Sequence, residues 1–261
     1  MSGPARFRAL HEREQLFVMP NPWDVGSAKL LASLGFEALA TTSAGFAWSL
    51  GKLDQHVTRA ELVAHVAALA AATELPLNVD SERCYPGEPG GVAETARLLA
   101  EGGAAGFSIE DWDPATESID PVEVAAERVA TAAGASGELL VTARAENHIH
   151  GVDDLEDTIA RLLAFRDAGA DVVYAPGLHT VGQVEAVVRA VGVPVNVLAL
   201  PGGPTIAELA AAGVRRVSTG GALARAAYGA LAAGARELLD QGTSTYSAAG
   251  LSNDALRAAF E

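Results

Sequence analysis

Six charged side chains fall at the ends of three short aliphatic runs. Asp80 and Glu82 follow Leu77–Val79, Glu110 and Asp111 follow Gly106–Ile109, and Arg144 and Glu146 follow Leu139–Ala143. Carboxylates brought together repel, and a divalent cation offsets that repulsion. Oxygen donors without a His or Cys cluster suit Mg2+ or Mn2+ rather than zinc. Asp80 and Glu82 are two apart, so on a strand both point to one side and can face one ion together with Glu110. The planar fork of Arg144 matches a carboxylate or phosphonate. A turn at Ser43-Ala44-Gly45 adds backbone donors. A hard dication, an anion clamp and such a turn suit a small oxo acid and the stabilisation of an enolate.

Each candidate also has a bland reading. Asp24 and Asp111 suit helix N-caps, and Arg144 could pair structurally with Glu146 or Glu110. His148 and His150 lack a metal-ligand pattern and read as loop residues, and Cys84 reads as a bystander thiol. His179, beyond the sixth run, is placed to polarise a ligand, and Asn196 lies on the seventh.

The elements that must position these groups alternate regularly. Eight β-branched or aliphatic runs stand at Leu16–Met19, Ala38–Thr42, Leu77–Val79, Gly106–Ile109, Leu139–Ala143, Val172–Ala175, Val195–Leu198 and Arg216–Thr219. Ala-rich amphipathic stretches fill the intervals at 24–34, 58–73, 90–102, 121–134, 153–168, 180–191, 204–212 and 221–241. Gly35, Gly102-Gly103, Gly169, Gly192 and Gly213 stand where helices should end. Strands alternating with helices predict βαβ units, and eight of them predict an α/β fold of the (β/α)8 TIM-barrel type. A doubly wound sheet would need a Gly-rich fingerprint where Asn21-Pro22-Trp23-Asp24-Val25-Gly26 stands. No linker divides residues 1–261, so one barrel domain is expected, with a helical extension from about 243. In such a barrel the chemistry sits at the C-terminal strand ends, where these charged groups fall.

Composition narrows the partners. The 261 residues carry 18 Lys+Arg against 33 Asp+Glu, a net charge of −15 with no basic stripe, which argues against nucleic acid. One cysteine excludes a disulfide framework and a multi-Cys metal site. No apolar run is long enough to span a membrane, and the N-terminus lacks the apolar core of a secretion signal, so a soluble cytoplasmic protein is expected. A rival site lies in the turns Leu200–Thr205 and Thr219-Gly220-Gly221, which could cradle phosphate; the bland reading makes them tight turns with Thr205 as a helix cap.

From about Leu10 to Leu239 the chain resembles the isocitrate lyase/phosphoenolpyruvate mutase superfamily. The pieces, in family order, are Pro20–Asp24 with Ala28; Thr41–Gly45 followed by Leu50-Gly51 and Asp54; Pro76–Glu82; Gly106–Asp111; Ala143-Arg144; Ala168–Asp171; and Pro194–Asn196. The resemblance implies Mg2+ (or Mn2+) held through Asp80, with Glu82, Glu110 and Asp54 reaching it through water. It implies that Ser43, Ala44 and Gly45 hold a pyruvyl carboxylate and carbonyl, that Arg144 grips the far end of the substrate, and that Leu50–Val57 forms a mobile gate. It also implies a last helix exchanged between barrels, in a homodimer or homotetramer.

Departures from the family pattern shape the expected activity. Lyases that split isocitrate or methylisocitrate carry Lys-x-Cys-Gly-His after strand four, and the phosphonate enzymes carry a Lys and an Asn there. Here Trp112–Ser118 holds none of the Lys, Cys, His or Asn. Glu82 replaces the usual second Asp, and Glu146 the usual Asp after the arginine. The expectation is a Mg2+-dependent lyase or phosphonomutase acting on a small 2-oxo or 2-hydroxy acid through an enolpyruvate, with Asp54 and Arg144 catalytic, and not isocitrate or methylisocitrate lyase itself. Alternatives are activity like carboxyvinyl-carboxyphosphonate phosphorylmutase or oxaloacetate decarboxylase, or an inactive metabolite-binding barrel.

Overall fold

A computed structural model describes residues 1–261. The elements are α1 (Gly3–Glu12), β1 (Phe17–Met19), α2 (Val25–Ser33), β2 (Leu39–Ala40), α3 (Ser43–Ser49), α4 (Arg59–Ala72), β3 (Leu77–Asp80), α5 (Gly91–Glu101) and β4 (Gly106–Glu110). Next come β5 (Trp112–Asp113), β6 (Ser118–Ile119), α6 (Val122–Ala135), β7 (Leu140–Arg144), α7 (Leu155–Asp167), β8 (Val172–Tyr174), α8 (Val181–Val191) and β9 (Val195–Leu198). The chain ends with α9 (Ile206–Ala211), β10 (Arg216–Ser218), α10 (Ala222–Gln241), a 3-10 turn (Thr245–Ala249) and α11 (Asn253–Phe260).

Eight parallel strands run in the order β1-β10-β9-β8-β7-β4-β3-β2. The seam between β1 and β2 is bridged by Ala40 N–H donating to Pro20 O (3.1 Å) and Asn21 Nδ2 donating to Thr41 O (2.7 Å), so the sheet forms a nearly closed barrel. Each of the eight expected runs carries one barrel strand. Most of the helices start at a side-chain cap: Asp24 Oδ1 accepts from Ser27 N at 2.7 Å, and Thr58, Thr180 and Thr205 form capping boxes with Glu61, Gln183 and Glu208. Asp24 and Thr205 therefore fill the bland roles foreseen for them.

The main core lies between the barrel wall and the helices, where Val79, Phe107, Val141 and Val173 pack beneath Leu69, Leu99 and Leu162. A smaller core plugs the N-terminal end of the barrel. There α1, not foreseen in the polar N-terminus, inserts Phe7 against Phe17, Met19 and Leu140. Burial of one such aromatic contributes roughly 1.5–3 kcal/mol. Gly106 permits the fit: a Cβ there would lie 2.7 Å from Leu140 O and 3.0 Å from Phe7 Cε1. At the other end of the chain α11 packs back on α2, and Lys29 Nζ donates to Phe260 O at 3.2 Å. No helix is long and apolar enough to cross a membrane.

Candidate active site

The strand register sets the charged groups side by side at the C-terminal rim. Asp80 lies opposite Ser108, Glu110 opposite Arg144, and Arg144 opposite Tyr174. Arg144 reaches Asp80 Oδ1 at 2.6 Å, Glu110 Oε2 at 3.2 Å and Glu146 Oε1 at 2.8 Å. Its guanidinium also stands 5.4 Å from the centroid of the Tyr174 ring. Asp80 Oδ2 accepts the Ser43 amide at 3.0 Å, and Asp80 N–H donates to Thr41 Oγ1 at 2.8 Å. From the segment 50–57 Gln55 Nε2 donates to Glu110 Oε1 at 3.0 Å, and Val57 O accepts from Tyr85 Oη at 3.2 Å. Gln55, Glu82, Cys84 and Tyr85 all have positive φ. Strained backbone of this kind persists only where the surroundings enforce it, and here it lines one rim.

A cavity of about 610 Å³ opens above this floor. Asp54, Asp80, Arg144 and Tyr174 line it, together with Trp48 and Arg225. Arg225 stands 5.0 Å from the centroid of the Trp48 ring and forms no ion pair. Glu82 and Glu110 do not line this cavity. Glu82 faces a second hollow of about 390 Å³, lined also by Gln55–Thr58, and its Oε1 is buried without a hydrogen-bond partner.

The electrostatics are those of an acidic site short of positive charge. Burial, then the charges of Asp80 and Asp54, push the Glu82 carboxyl up to about 8, against the pull of Arg144. Burial raises Glu110 well above the carboxylate range even with Arg144 beside it. Asp54, although open to solvent on one side, loses hydration against the cavity wall; that and Asp80 raise its carboxyl too. Burial takes Asp111 up to about 6, while the Glu146 amide and Arg161 hold it down. Arg144 stays firmly charged: Glu146, Glu110 and Asp80 outweigh the cost of its burial.

Several expectations need correction. Asp80, Glu82 and Glu110 do not converge: no three His, Cys, Asp or Glu side chains are placed to grip one ion. Arg144 intervenes, taking one oxygen each of Asp80 and Glu110. For the same reason Arg144 is not a free anion clamp. The Ser43 and Gly45 amides are also engaged, with Asp80 and with Thr42 Oγ1 (3.3 Å), because residues 43–49 form the helix α3 and not an open turn. His179 is exposed outside the cavity, since β8 ends at Tyr174 and the chain turns away, letting His179 N–H bond Gln183 Oε1 at 3.1 Å. Asn196 does line the cavity, but its amide is held by Arg216 and Ser218. The Thr219 and Gly220 amides of the rival phosphate cradle donate to Asn21 Oδ1 at 2.8 and 2.9 Å. The loop 112–118 is folded into the β5–β6 hairpin, latched by Arg83 to Asp113 (2.8 Å) and Asp120 (2.9 Å). Tyr174, Arg216 and Arg225 were not picked out from the sequence. Tyr174 sits inside an aliphatic run, and nothing local marks an arginine as facing the barrel interior.

The family model described as phosphoenolpyruvate phosphomutase matches residues 7–239. The chain belongs to the isocitrate lyase/phosphoenolpyruvate mutase superfamily. Among solved members of this superfamily, a lyase/mutase candidate from Burkholderia cenocepacia J2315 is 50% identical, with a TM-score of 0.93 over 98% of this chain and 94% of the other. Oxaloacetate acetylhydrolase, solved with its product oxalate, is 26% identical with a TM-score of 0.88 over 99% of this chain and 94% of that one. Oxaloacetate decarboxylase from Paraburkholderia xenovorans LB400 is 33% identical over 75% of this chain and 68% of its own. The superfamily relatives are thus lyases and mutases that share this barrel.

Proposed function

We propose that this chain is a Mg2+- or Mn2+-dependent lyase or mutase of a small 2-oxo or 2-hydroxy acid, breaking or rearranging a C–C or P–C bond through an enolpyruvate. The observation that carries the reading is Asp80 on the cavity wall, inside a ring of carboxylates that a single arginine cannot neutralise. The donor set fits an ion held by Asp80, with Glu82, Glu110 and Asp54 acting through water. It does not fit a three-carboxylate chelate. The buried, unpartnered Glu82 Oε1 is the kind of acceptor that an ion's water would satisfy. When bound, such an ion supplies positive charge where an enolate oxygen develops.

The other roles belong to the chain itself. Arg144 keeps Asp80, Glu110 and Glu146 oriented, and the gate segment, with Gln55 bound to Glu110, keeps water from the reacting centre. Arg225 is the cavity-lining cation open to solvent and free of carboxylates, so it takes the distal acid group of the substrate. Calorimetric titration with oxalate, an enolpyruvate mimic, tests the reading: binding should require Mg2+, and a panel of oxaloacetate, phosphonopyruvate and substituted malates should contain a substrate. Metal-independent oxalate binding with no turnover would overturn it.

We also propose that a second copy of the chain covers α10. This 20-residue helix buries only Ala224 and Gly234, leaving Leu231 66% and Leu239 85% exposed. A long helix with so little packing of its own is stabilised by tertiary contacts from elsewhere. Sedimentation should report a dimer or larger assembly that Leu231→Asp with Leu239→Asp dissociates; a monomeric parent protein would remove the idea.

A further inference from the structure

Where the proposed reaction cleaves a bond, it ends with a proton delivered to carbon, and the hairpin in place of the family's acid loop has no Lys, Cys or His to deliver it. No His, Cys or Lys lines the cavity either. Apart from Asp80, which is paired with Arg144, and the cationic arginines, the ionisable groups that line the cavity are Asp54 and Tyr174. Tyr174 is flanked by two cations. Arg144 stands 5.4 Å from its ring centroid. Arg216 lies in the barrel interior, 1% exposed, with no carboxylate partner. A buried guanidinium is ordinarily paired with an acid. The groups around Arg216 are neutral instead: Asn196 Oδ1 at 2.8 Å, Thr142 Oγ1 at 3.1 Å and His11 Nε2 at 3.2 Å. Burial brings Arg216 down to about 9, and the one ionisable group that supports its charge is the phenol of Tyr174.

A chain of donors connects them. Arg216 Nε donates to Asn196 Oδ1, Asn196 Nδ2 donates to Ser218 Oγ at 2.9 Å, and Ser218 stands beside the Tyr174 phenol. Both hydrogen bonds run their protons from Arg216 toward Ser218, on the side of the phenol. Burial raises the phenol above its ordinary range, with Arg144 and Ser218 pulling the other way, so Tyr174 holds its proton at the cavity wall and these neighbours are what offsets the cost of the phenolate.

We propose that Tyr174 is the proton donor to the substrate carbon, with Arg216 as the positioning cation that holds the resulting phenolate through Asn196 and Ser218. This rests on the enolpyruvate reading above. When the bond to the departing group breaks, its electron pair enters the enolate. The enolate carbon then takes the phenol proton, so a C–H bond forms and the O–H bond breaks. The phenolate regains a proton from water once the cavity opens.

The reverse half-step tests this without knowledge of the full substrate. With Mg2+ in D2O, the protein should exchange the methyl protons of pyruvate, followed by proton NMR. Tyr174→Phe should bind oxalate like the parent yet exchange at least about a hundredfold more slowly, the usual range for a lost general acid–base. Arg216→Gln should also slow exchange with oxalate binding retained, an effect on proton transfer that a merely structural role would not produce. Wild-type exchange in Tyr174→Phe, or its loss in Asp54→Asn alone, overturns the assignment and leaves the lyase reading standing. A parent protein that binds oxalate with Mg2+ but exchanges nothing also overturns it. Failure to bind oxalate at all removes the parent reading and this proposal together.

Discussion

Asp80→Asn is expected to abolish Mg2+-dependent oxalate binding while leaving the fold intact. The substitution keeps the side chain's shape and one acceptor oxygen, enough for either the Ser43 amide or Arg144 but not both, so one hydrogen bond of the rim is lost while the packing survives. What it removes is the negative charge that faces the cavity. If the ion is held by Asp80 and otherwise through water, no remaining residue can replace that contact. Oxalate affinity in Mg2+ should fall to the metal-free level, and turnover of any substrate should fall at least about a hundredfold, as for loss of one strong electrostatic contact in an active site. Stability should move little, because Asp80 also raises the cost of charging Glu82, Asp54 and Glu110 around it. Retained Mg2+-dependent binding in this variant would show that the ion sits elsewhere.

Arg144→Met is expected to lower both activity and stability, with a distinct pH signature. It leaves Asp80, Glu110 and Glu146 without their shared cation. Breaking a buried pair from one side costs about 3–5 kcal/mol. At roughly 2–4 °C per kcal/mol for a large domain, the melting temperature should drop by about 10 °C. The sign with pH follows from the carboxyls. Glu82 is already raised to about 8 in the parent, and Glu110 well above its usual range. A carboxyl raised in the folded state adds stability that is complete below its unfolded value near 4.5 and is lost as pH rises through the folded value. Without Arg144 these groups rise further, so the deficit should be largest near pH 8.5 and smallest near pH 5. Thermal melts in chelator across that window check it. A deficit independent of pH would mean that Arg144 contributes through packing rather than charge.

The rim was legible in the sequence because each piece of it is local. A short aliphatic run ending in a charged residue marks a strand and its C-terminal tip together, as at Val79-Asp80, Ile109-Glu110 and Ala143-Arg144. The caps at Asp24 and Thr205 are equally local, since each joins residues three apart. The gate segment and the substituted hairpin loop were identified only through the family resemblance.

The alternation of strand and helix was therefore settled by the amino-acid order alone, and with it the barrel and the set of acidic strand ends, because hydrophobic periodicity and capping act over a few residues. The balance of charge among those ends was decided by the tertiary structure. Whether Arg144 is a clamp for substrate or a tie among carboxylates depends on the register that brings it to Asp80, 64 residues away. The same holds for Arg216, which reaches Thr142 and His11 across separations of 74 and 205 residues. Coulombic and desolvation energies sum over every neighbour in space, and a linear spacing rule does not contain them.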